Sequence, residues 1–374
     1  MTNYLIRRLV QMMLVVILSS CAIYLLLWLA PGGPLDELKF AGAADRKAQF
    51  SQQDIERISE YLGLHRGPAW GFVAWLTGED WLGAIGRADL QRPICRESLD
   101  KCGLGVLRGD FGISWSVARG SPVSFVLSSR VRNTMILMVA STVLSLVIAI
   151  PIGIYSAVKQ YSRLDYVFTT FSFFGTAMPV FWFGLIMIIL FGGNQSPLFK
   201  LFGFPYLPTG NVTLVRAPLK GGLEYLLNVS PGSWLDIAVH ALLPTLVLSL
   251  LYMAGWSRFM RASMLEVLRQ DYVRTARAKG LIERVVVLKH ALRNSLIPLI
   301  TIVVFQLPGI FGGATITETV FNWQGMGFLY VYALAADDYP VAMAFLFISA
   351  VLVVIATLLG DILYTVVDPR IRFS

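Results

Sequence analysis

The sequence predicts an all-α integral membrane protein with about six transmembrane helices, and three observations carry that reading. Hydrophobic residues make up 56% of the 374 and charged residues 14%, whereas a water-facing domain carries roughly 25% charged residues. The mean hydropathy is +0.66. The charges are bunched between long apolar blocks, each near the ~20 residues needed to cross ~30 Å of hydrocarbon. Those blocks run continuously instead of alternating, so helices and not barrel strands are expected.

The first block covers 9–30, follows Arg7 and Arg8, and stops at Pro31-Gly32-Gly33-Pro34. A signal peptide has a similar basic start, but this block is long enough to span and no small-x-small cleavage site follows it. An uncleaved first helix within residues 1–30 is therefore expected. Further spans read as 135–158, 167–192, 235–256, 296–316 and 341–367. They divide the chain into the first helix, a large segment over 31–130, and a core of five helices over 131–374.

Basic residues orient the set. Arg7 and Arg8 precede the first span, and Lys159 and Arg163 lie in the short link between the second and third. Residues 258–293 carry nine Lys or Arg against Glu266, Asp271 and Glu283, and Arg370 and Arg372 follow the last span. Six spans put all four segments on one side, which is then the cytoplasm. Both termini are expected there, and 31–130 is expected outside. The net charge of +8 is accounted for by these flanks. The aromatic residues sit mostly inside apolar blocks and form no stacking platform in a basic groove, so no nucleic-acid partner is expected.

Within the outer segment, 51–61 reads as a helix with Ser51 as its N-cap. Trp70, Trp75 and Trp81 suit a compact cap near the lipid headgroups. Cys95 and Cys102 both fall on the oxidising side, where a disulfide and two free thiols are both open. Residues 193–234, rich in Pro and Gly, read as an irregular outer loop. His65, His240 and His290 are scattered over different segments, so no metal site is expected. No G-x-x-x-x-G-K-[ST], H-E-x-x-H or G-x-S-x-G pattern occurs, so no catalytic residue is assigned.

The stretch Asp271-Tyr272-Val273-Arg274-Thr275-Ala276-Arg277-Ala278-Lys279-Gly280 reads as a short helix. Asp271 can cap its N-terminus and Gly280 can end it in the left-handed conformation. Such a helix is too short to be stable alone. Helical spacing puts Tyr272, Thr275, Ala276 and Lys279 on one face. Two readings stand: a face of small residues that seats in a groove on another protein while Arg274 and Arg277 meet acidic groups, or a solvated basic loop that fixes topology.

That stretch, continuing through Lys289-His290-Ala291-Leu292-Arg293-Asn294-Ser295-Leu296-Ile297-Pro298, resembles the coupling loop of the oligopeptide/dipeptide branch of ABC-importer permeases. Similar pieces occur in order along the chain: Tyr4-Leu5-Ile6-Arg7-Arg8, Ala30-Pro31-Gly32 and Gly109-Asp110-Phe111-Gly112. Met178-Pro179-Val180-Phe181-Trp182, Glu318-Thr319-Val320-Phe321-Asn322-Trp323, Asp338-Tyr339-Pro340 and Asp368-Pro369-Arg370-Ile371 complete them. Arg274, Thr275 and Ala276 stand where the general pattern has Glu-Ala-Ala, which is usual for the peptide branch. Gln324 replaces proline in the Trp-Pro-Gly-x-Gly pattern, and the outer segment is longer than in common members.

The resemblance implies a type I ABC importer permease fold and a permease subunit in the cytoplasmic (inner) membrane of a prokaryote. Residues 259–293 would be the cytoplasmic coupling loop, with Asp271, Tyr272, Arg274, Thr275, Ala276, Arg277, Ala278, Lys279 and Gly280 contacting an ATPase. The chain would hold no cofactor, because ATP and Mg would bind two partner ATPase subunits or domains. A second homologous permease would complete the pathway, and an extracytoplasmic binding protein would deliver peptide. The same architecture also imports nickel, glutathione, heme or oligosaccharides in other members. An ion-driven secondary transporter would show inverted repeats and midplane ionisable residues, and neither is visible.

The fifth span carries Pro298, Pro308, Gly309, Gly312 and Gly313. Such breaks are tolerated where backbone lines a water-filled path, or where small residues pack helices closely. Met178, Pro179, Gly312, Gly313, Glu318 and Trp323 are the pathway or gate candidates. Met178 and Trp182, four residues apart, are expected to share a helix face and pack in the core.

Overall fold

The computed structural model describes residues 2–29, 52–306 and 314–367. Helices are the regular elements, and no strand beyond isolated bridges occurs among the described residues. Among the described residues, five helices are long and apolar enough to cross a membrane, or six if one bent pair counts as a span. The chain forms two compact units, Met1–Val131 with Leu329–Val354, and Arg132–Phe328 with Ile355–Ser374.

The first unit contains α1 (Thr2–Leu29), α2 (Gln52–Leu62), α3 (Gly67–Thr77) and α4 (Pro93–Glu97). It also contains the start of α5 (Val123–Val158) and much of a C-terminal helix beginning at Tyr339. Prolines open α3 and α4, where a missing N–H costs nothing. Ala74, Leu82 and Leu90 form a small core flanked by Trp70 and Trp81. Tyr24 of α1 meets Phe72 and Trp75 of α3 with ring centroids 5.8 and 5.9 Å apart.

Glu79 lies at the centre of this unit with only 2% of its side chain exposed. Its carboxylate accepts from Arg66, from Arg92 at 2.7 Å and from the Gly103 N–H at 3.0 Å. Burial pushes the Glu79 carboxyl up, but Arg92, Arg66 and the Gly103 N–H outweigh it and hold it below the usual glutamate range. Cys95 and Cys102 are disulfide-bonded. That bond closes the stretch between Arg92 and Gly103, two of the three neighbours that answer the Glu79 charge. A second buried carboxylate, Asp338, accepts the Ser114 hydroxyl and the N–H groups of Ser116 and Val117, at 3.0 and 2.9 Å. It sets the turn that leads into α5.

The second unit is built around a long central helix. In chain order it contains α6 (Arg163–Ala177), α7 (Val180–Phe191), α8 (Pro197–Phe202), α9 (Leu223–Leu226) and α10 (Trp234–Leu268). Then come α11 (Asp271–Ala278), α12 (Glu283–Val285), a π-helical turn (Val286–Ala291) and α13 (Leu292–Gln306). It ends with α14 (Thr315–Val320), the start of α15 (Met326–Ala335) and the end of α16 (Tyr339–Val367). The apolar window of α10 is 67% buried, against 28% for α5 and 6% for α1. The core formed by Met253, Trp256, Met260 and Met264 of α10 explains this.

Small residues let neighbours close on α10, as membrane helices require. A Cβ on Gly153 would stand 2.5 Å from the Met260 Cβ, and one on Gly175 would stand 3.0 Å from the Ala254 Cβ. Buried hydroxyls add polar links. Ser145 donates to the Ser249 carbonyl at 3.0 Å, and the Ser172 and Ser257 hydroxyls are 3.0 Å apart.

Three expected spans differ in detail. The second extends back to Val123, because Val123, Val126 and Leu127 are buried and continue the helix. The third breaks at Met178-Pro179 into α6 and α7, bent by 107°. Proline disfavours a helical conformation in the residue before it, and Met178 is extended at ψ 127°. Met178 and Trp182 therefore share no helix face, and Trp182 is exposed. The fifth begins with the π turn, which period-based reading does not detect. Ser51, Pro308, Gly309, Gly312, Gly313, Arg370 and Arg372 lie outside the described residues.

Candidate functional site

The short helix α11 sits on its own chain through two residues. Val273 and Ala276 are buried against Val286 of the π turn and Val267 and Leu268 of α10. Residues 273 and 276 are one helical turn apart, so this is the inner face. Ala276 therefore faces the chain and not a partner, which corrects the expected grouping of Tyr272, Thr275, Ala276 and Lys279. Tyr272, Arg274, Thr275, Arg277, Ala278, Lys279 and Gly280 are exposed, and so are Leu281 and Ile282 beyond them.

The helix ends are set locally. Gln270, not Asp271, occupies the N-cap and makes no side-chain cap bond. Asp271 is the first helical residue, where a negative charge still suits the helix dipole. Gly280 has φ +76°, the left-handed stop expected of it, and a Cβ there would meet nothing within 4 Å. Arg277 is tied to Glu283 at 2.7 Å, closing the turn between α11 and α12. Tyr272 accepts a hydrogen bond from the Asn294 amide at 2.8 Å. Arg274 is 70% exposed, with Asp271 3.6 Å away, so its charge faces outward.

The π turn joins two cores. Val286 packs under α11, whereas Val287 and Ala291 pack with Met260 and Met264 of α10. An extra residue per turn re-aims successive side chains, and π turns recur at functional places. Ser263 donates to the Ser295 carbonyl at 3.0 Å, pinning α10 to α13 just below. Arg261 forks onto Asp165 at 3.0 and 3.1 Å, and Asp165 also accepts the Tyr161 N–H. The base of α6 is thereby fastened to α10. A signal for Asp165 was available: Ser162-x-x-Asp165 is a capping pattern, and Ser162 does accept the Asp165 N–H.

Glu318 and Trp323 are fully buried within the second unit. Glu318 accepts the Thr134 hydroxyl at 2.7 Å and the Phe328 N–H at 2.9 Å. Thr134 in turn accepts the Met326 N–H at 2.7 Å. The Trp323 indole donates to the Asn133 carbonyl, and the Asn133 amide donates to the Gln324 carbonyl. Residues 314–328 are thus stapled to α5 at Asn133-Thr134. Gly325 is required there, because a Cβ would stand 2.4 Å from the Thr134 hydroxyl and 2.5 Å from the Glu318 carboxylate. Met178 and Pro179 lie at the α6–α7 bend, and α7 beyond it packs against Val320 and Phe321.

Comparison with known proteins settles the family. A profile described as binding-protein-dependent transport system inner membrane component matches residues 149–373. The chain belongs to that family. The oligopeptide transport system permease protein AppB of Bacillus subtilis is 37% identical over 373 residues, covering 100% of both chains. A putative peptide permease of Brucella suis is 34% identical over 374 residues, again covering 100% of both. The dipeptide transport system permease protein DppB of Escherichia coli is 36% identical over 273 residues, 72% of this chain and 78% of its own. This permease is thus a multi-pass membrane protein of an ABC transport system. The matched region holds α10, α11, the π turn and residues 314–328, and the full-length relatives extend the likeness through Asn133, Thr134 and the 52–122 segment.

Proposed function

We propose that this permease forms half of the translocation pathway of an ATP-driven importer for peptides. The observation that carries this reading is α11: a short helix whose inner face is locked to its own chain and whose outer face offers Arg274, Thr275, Lys279, Gly280 and Ile282. A helix this short persists only on a fixed platform, and its exposed face is free to seat in a groove of an ATPase subunit. Closure of that subunit then reaches α10 and α13 as a rigid-body motion. ATP and Mg bind two ATPase partners, where the ATP is hydrolysed, and no G-x-x-x-x-G-K-[ST] pattern occurs in this sequence. A second homologous permease supplies the other half of the path, and an extracytoplasmic binding protein delivers the cargo. Both termini and 259–293 lie in the cytoplasm, and 31–130 lies outside. The names of the relatives support peptide as cargo. The segment around Glu318 and Trp323, with Met178 and Pro179 at the bend, frames the outer end of the path.

Affinity purification of this permease in mild detergent, followed by reconstitution with ATP and labelled peptide, tests the reading. Co-purifying ATPases and peptide uptake that needs ATP are expected. Uptake by the chain alone, or uptake that collapses with an ionophore and ignores ATP, would overturn it.

A further inference from the structure

A cavity of about 370 Å³ lies within the first unit, a size usual for small-molecule sites. One wall is apolar and comes from Tyr24, Leu27 and Trp28 in the last turns of α1, and from Tyr339 and Met343 at the start of α16. Both helices are apolar enough to cross a membrane. The α1 wall continues directly into exposed surface, with Leu26 at 70% and Leu29 at 68% exposure. Arg66, Glu79, Arg92 and Asp110 line the same cavity and make up its polar part.

The arginines hold the spare donors here, while each Asp110 oxygen accepts one of the two bonds it can take. The Glu79 carboxylate is taken by Arg66, Arg92 and Gly103, and both Asp110 oxygens by the Leu104 and Gly112 N–H groups. Each guanidinium carries five N–H groups. Arg66 spends its Nε on the Leu90 carbonyl and one Nη on Glu79, and Arg92 spends its Nε and one Nη on Glu79. The remaining N–H groups on each have no acceptor among the described residues. Trp75, another wall residue, has its indole N–H buried without an acceptor among them. Spare guanidinium donors together with an apolar wall that continues into exposed surface suit an amphiphile with an anionic, many-acceptor head.

We propose that this cavity binds the phosphate end of a membrane phospholipid. The phosphate sits on Arg66 and Arg92 as charge-assisted hydrogen bonds, and the acyl chains leave along Leu27 and Leu26 of α1. A soluble solute would gain nothing from a wall that continues into lipid-facing surface.

The test uses the full transporter purified in mild detergent, delipidated and re-exposed to defined micelles. Phosphatidylglycerol or phosphatidylethanolamine is expected to bind and to be lost from Met343→Trp, which fills the apolar wall without touching the arginines. Trp75→Phe keeps an aromatic side chain, though a smaller one, and removes the N–H, and is expected to bind about fivefold more weakly. A photo-reactive residue at position 115 is expected to capture phospholipid. Equal binding of diacylglycerol would overturn the proposal, because no phosphate would be read. Displacement by inorganic phosphate alone would overturn the lipid source. Capture of residues 30–51 or of another protein at position 115 would give the cavity a different occupant. Should Met343→Trp fail to fold, unchanged binding in Trp75→Phe together with diacylglycerol binding still overturns it.

Discussion

Thr134→Val probes the staple that holds residues 314–328, and its cost follows from two contacts. The Thr134 hydroxyl donates to Glu318 Oε1 at 2.7 Å and accepts the Met326 N–H at 2.7 Å. Valine has nearly the same shape but neither function. Glu318 keeps the Phe328 N–H on its other oxygen, while Oε1 loses its hydroxyl donor and the buried Met326 N–H loses its acceptor. Each loss costs about 1–3 kcal/mol, and the pair about 2–6 kcal/mol. Thr134→Ser keeps the hydroxyl and should cost far less. Gly325→Ala strikes the same hydroxyl and carboxylate from the other side, so the two variants should be strongly non-additive. Thermal unfolding in detergent measures the stability, and hydrogen exchange at Met326 and Phe328 localises the loss. A Thr134→Val protein that melts with the wild type and keeps Met326 protected would refute the reasoning.

Three further outcomes are expected. Glu79→Gln leaves Arg66 and Arg92 buried without their counter-charge and should cost about 3–5 kcal/mol. Because the folded Glu79 carboxyl is depressed, its stabilisation is present above the unfolded value of about 4.3 and is lost as pH falls through the folded one. Acid melts should therefore show a decline in the wild type that Glu79→Gln largely lacks. Gly280→Trp should lower stability by only about 1–2 kcal/mol, the cost of a left-handed L-residue, since its Cβ meets open space. Transport in the reconstituted importer should fall much further than membrane insertion does, and normal transport would remove α11 from coupling. Replacing Cys95 and Cys102 by serine should cost about 2.5 kcal/mol by loop-closure entropy, read as a lower melting temperature of the first unit.

The spans were legible because long apolar runs have one physical meaning in a chain this poor in charge. Where they end was less so. The break at Met178-Pro179 was written in the proline, yet a proline within a span kinks a helix in one context and divides it in another, and only packing decides. The π turn left no trace in composition, since Val286, Val287 and Ala291 suit an α-helix equally well. Glu318 read as a gate residue because it follows the fifth span, which proline and glycine interrupt. Its partner Thr134 lies 184 residues away, a pairing that no local pattern encodes.

The same limit shaped the reading of α11. Spacing alone grouped Ala276 with Tyr272 and Lys279, but a helix eight residues long has too little surface to serve two partners on one face. Val273 and Ala276 hold the chain side through Val286, so the outward side is left to Arg274, Lys279 and Ile282. This division makes the helix useful as a lever. If the inner face were loose, a push from outside would melt α11 before moving α10. With Val286 clamped beneath it and Ser263 pinned to Ser295, displacement of α11 must be shared by α10 and α13. Val286→Gly, which frees the platform while leaving every outward residue in place, should therefore reduce coupled transport as much as an outer-face variant does. Unchanged transport in Val286→Gly would show that the platform carries no load.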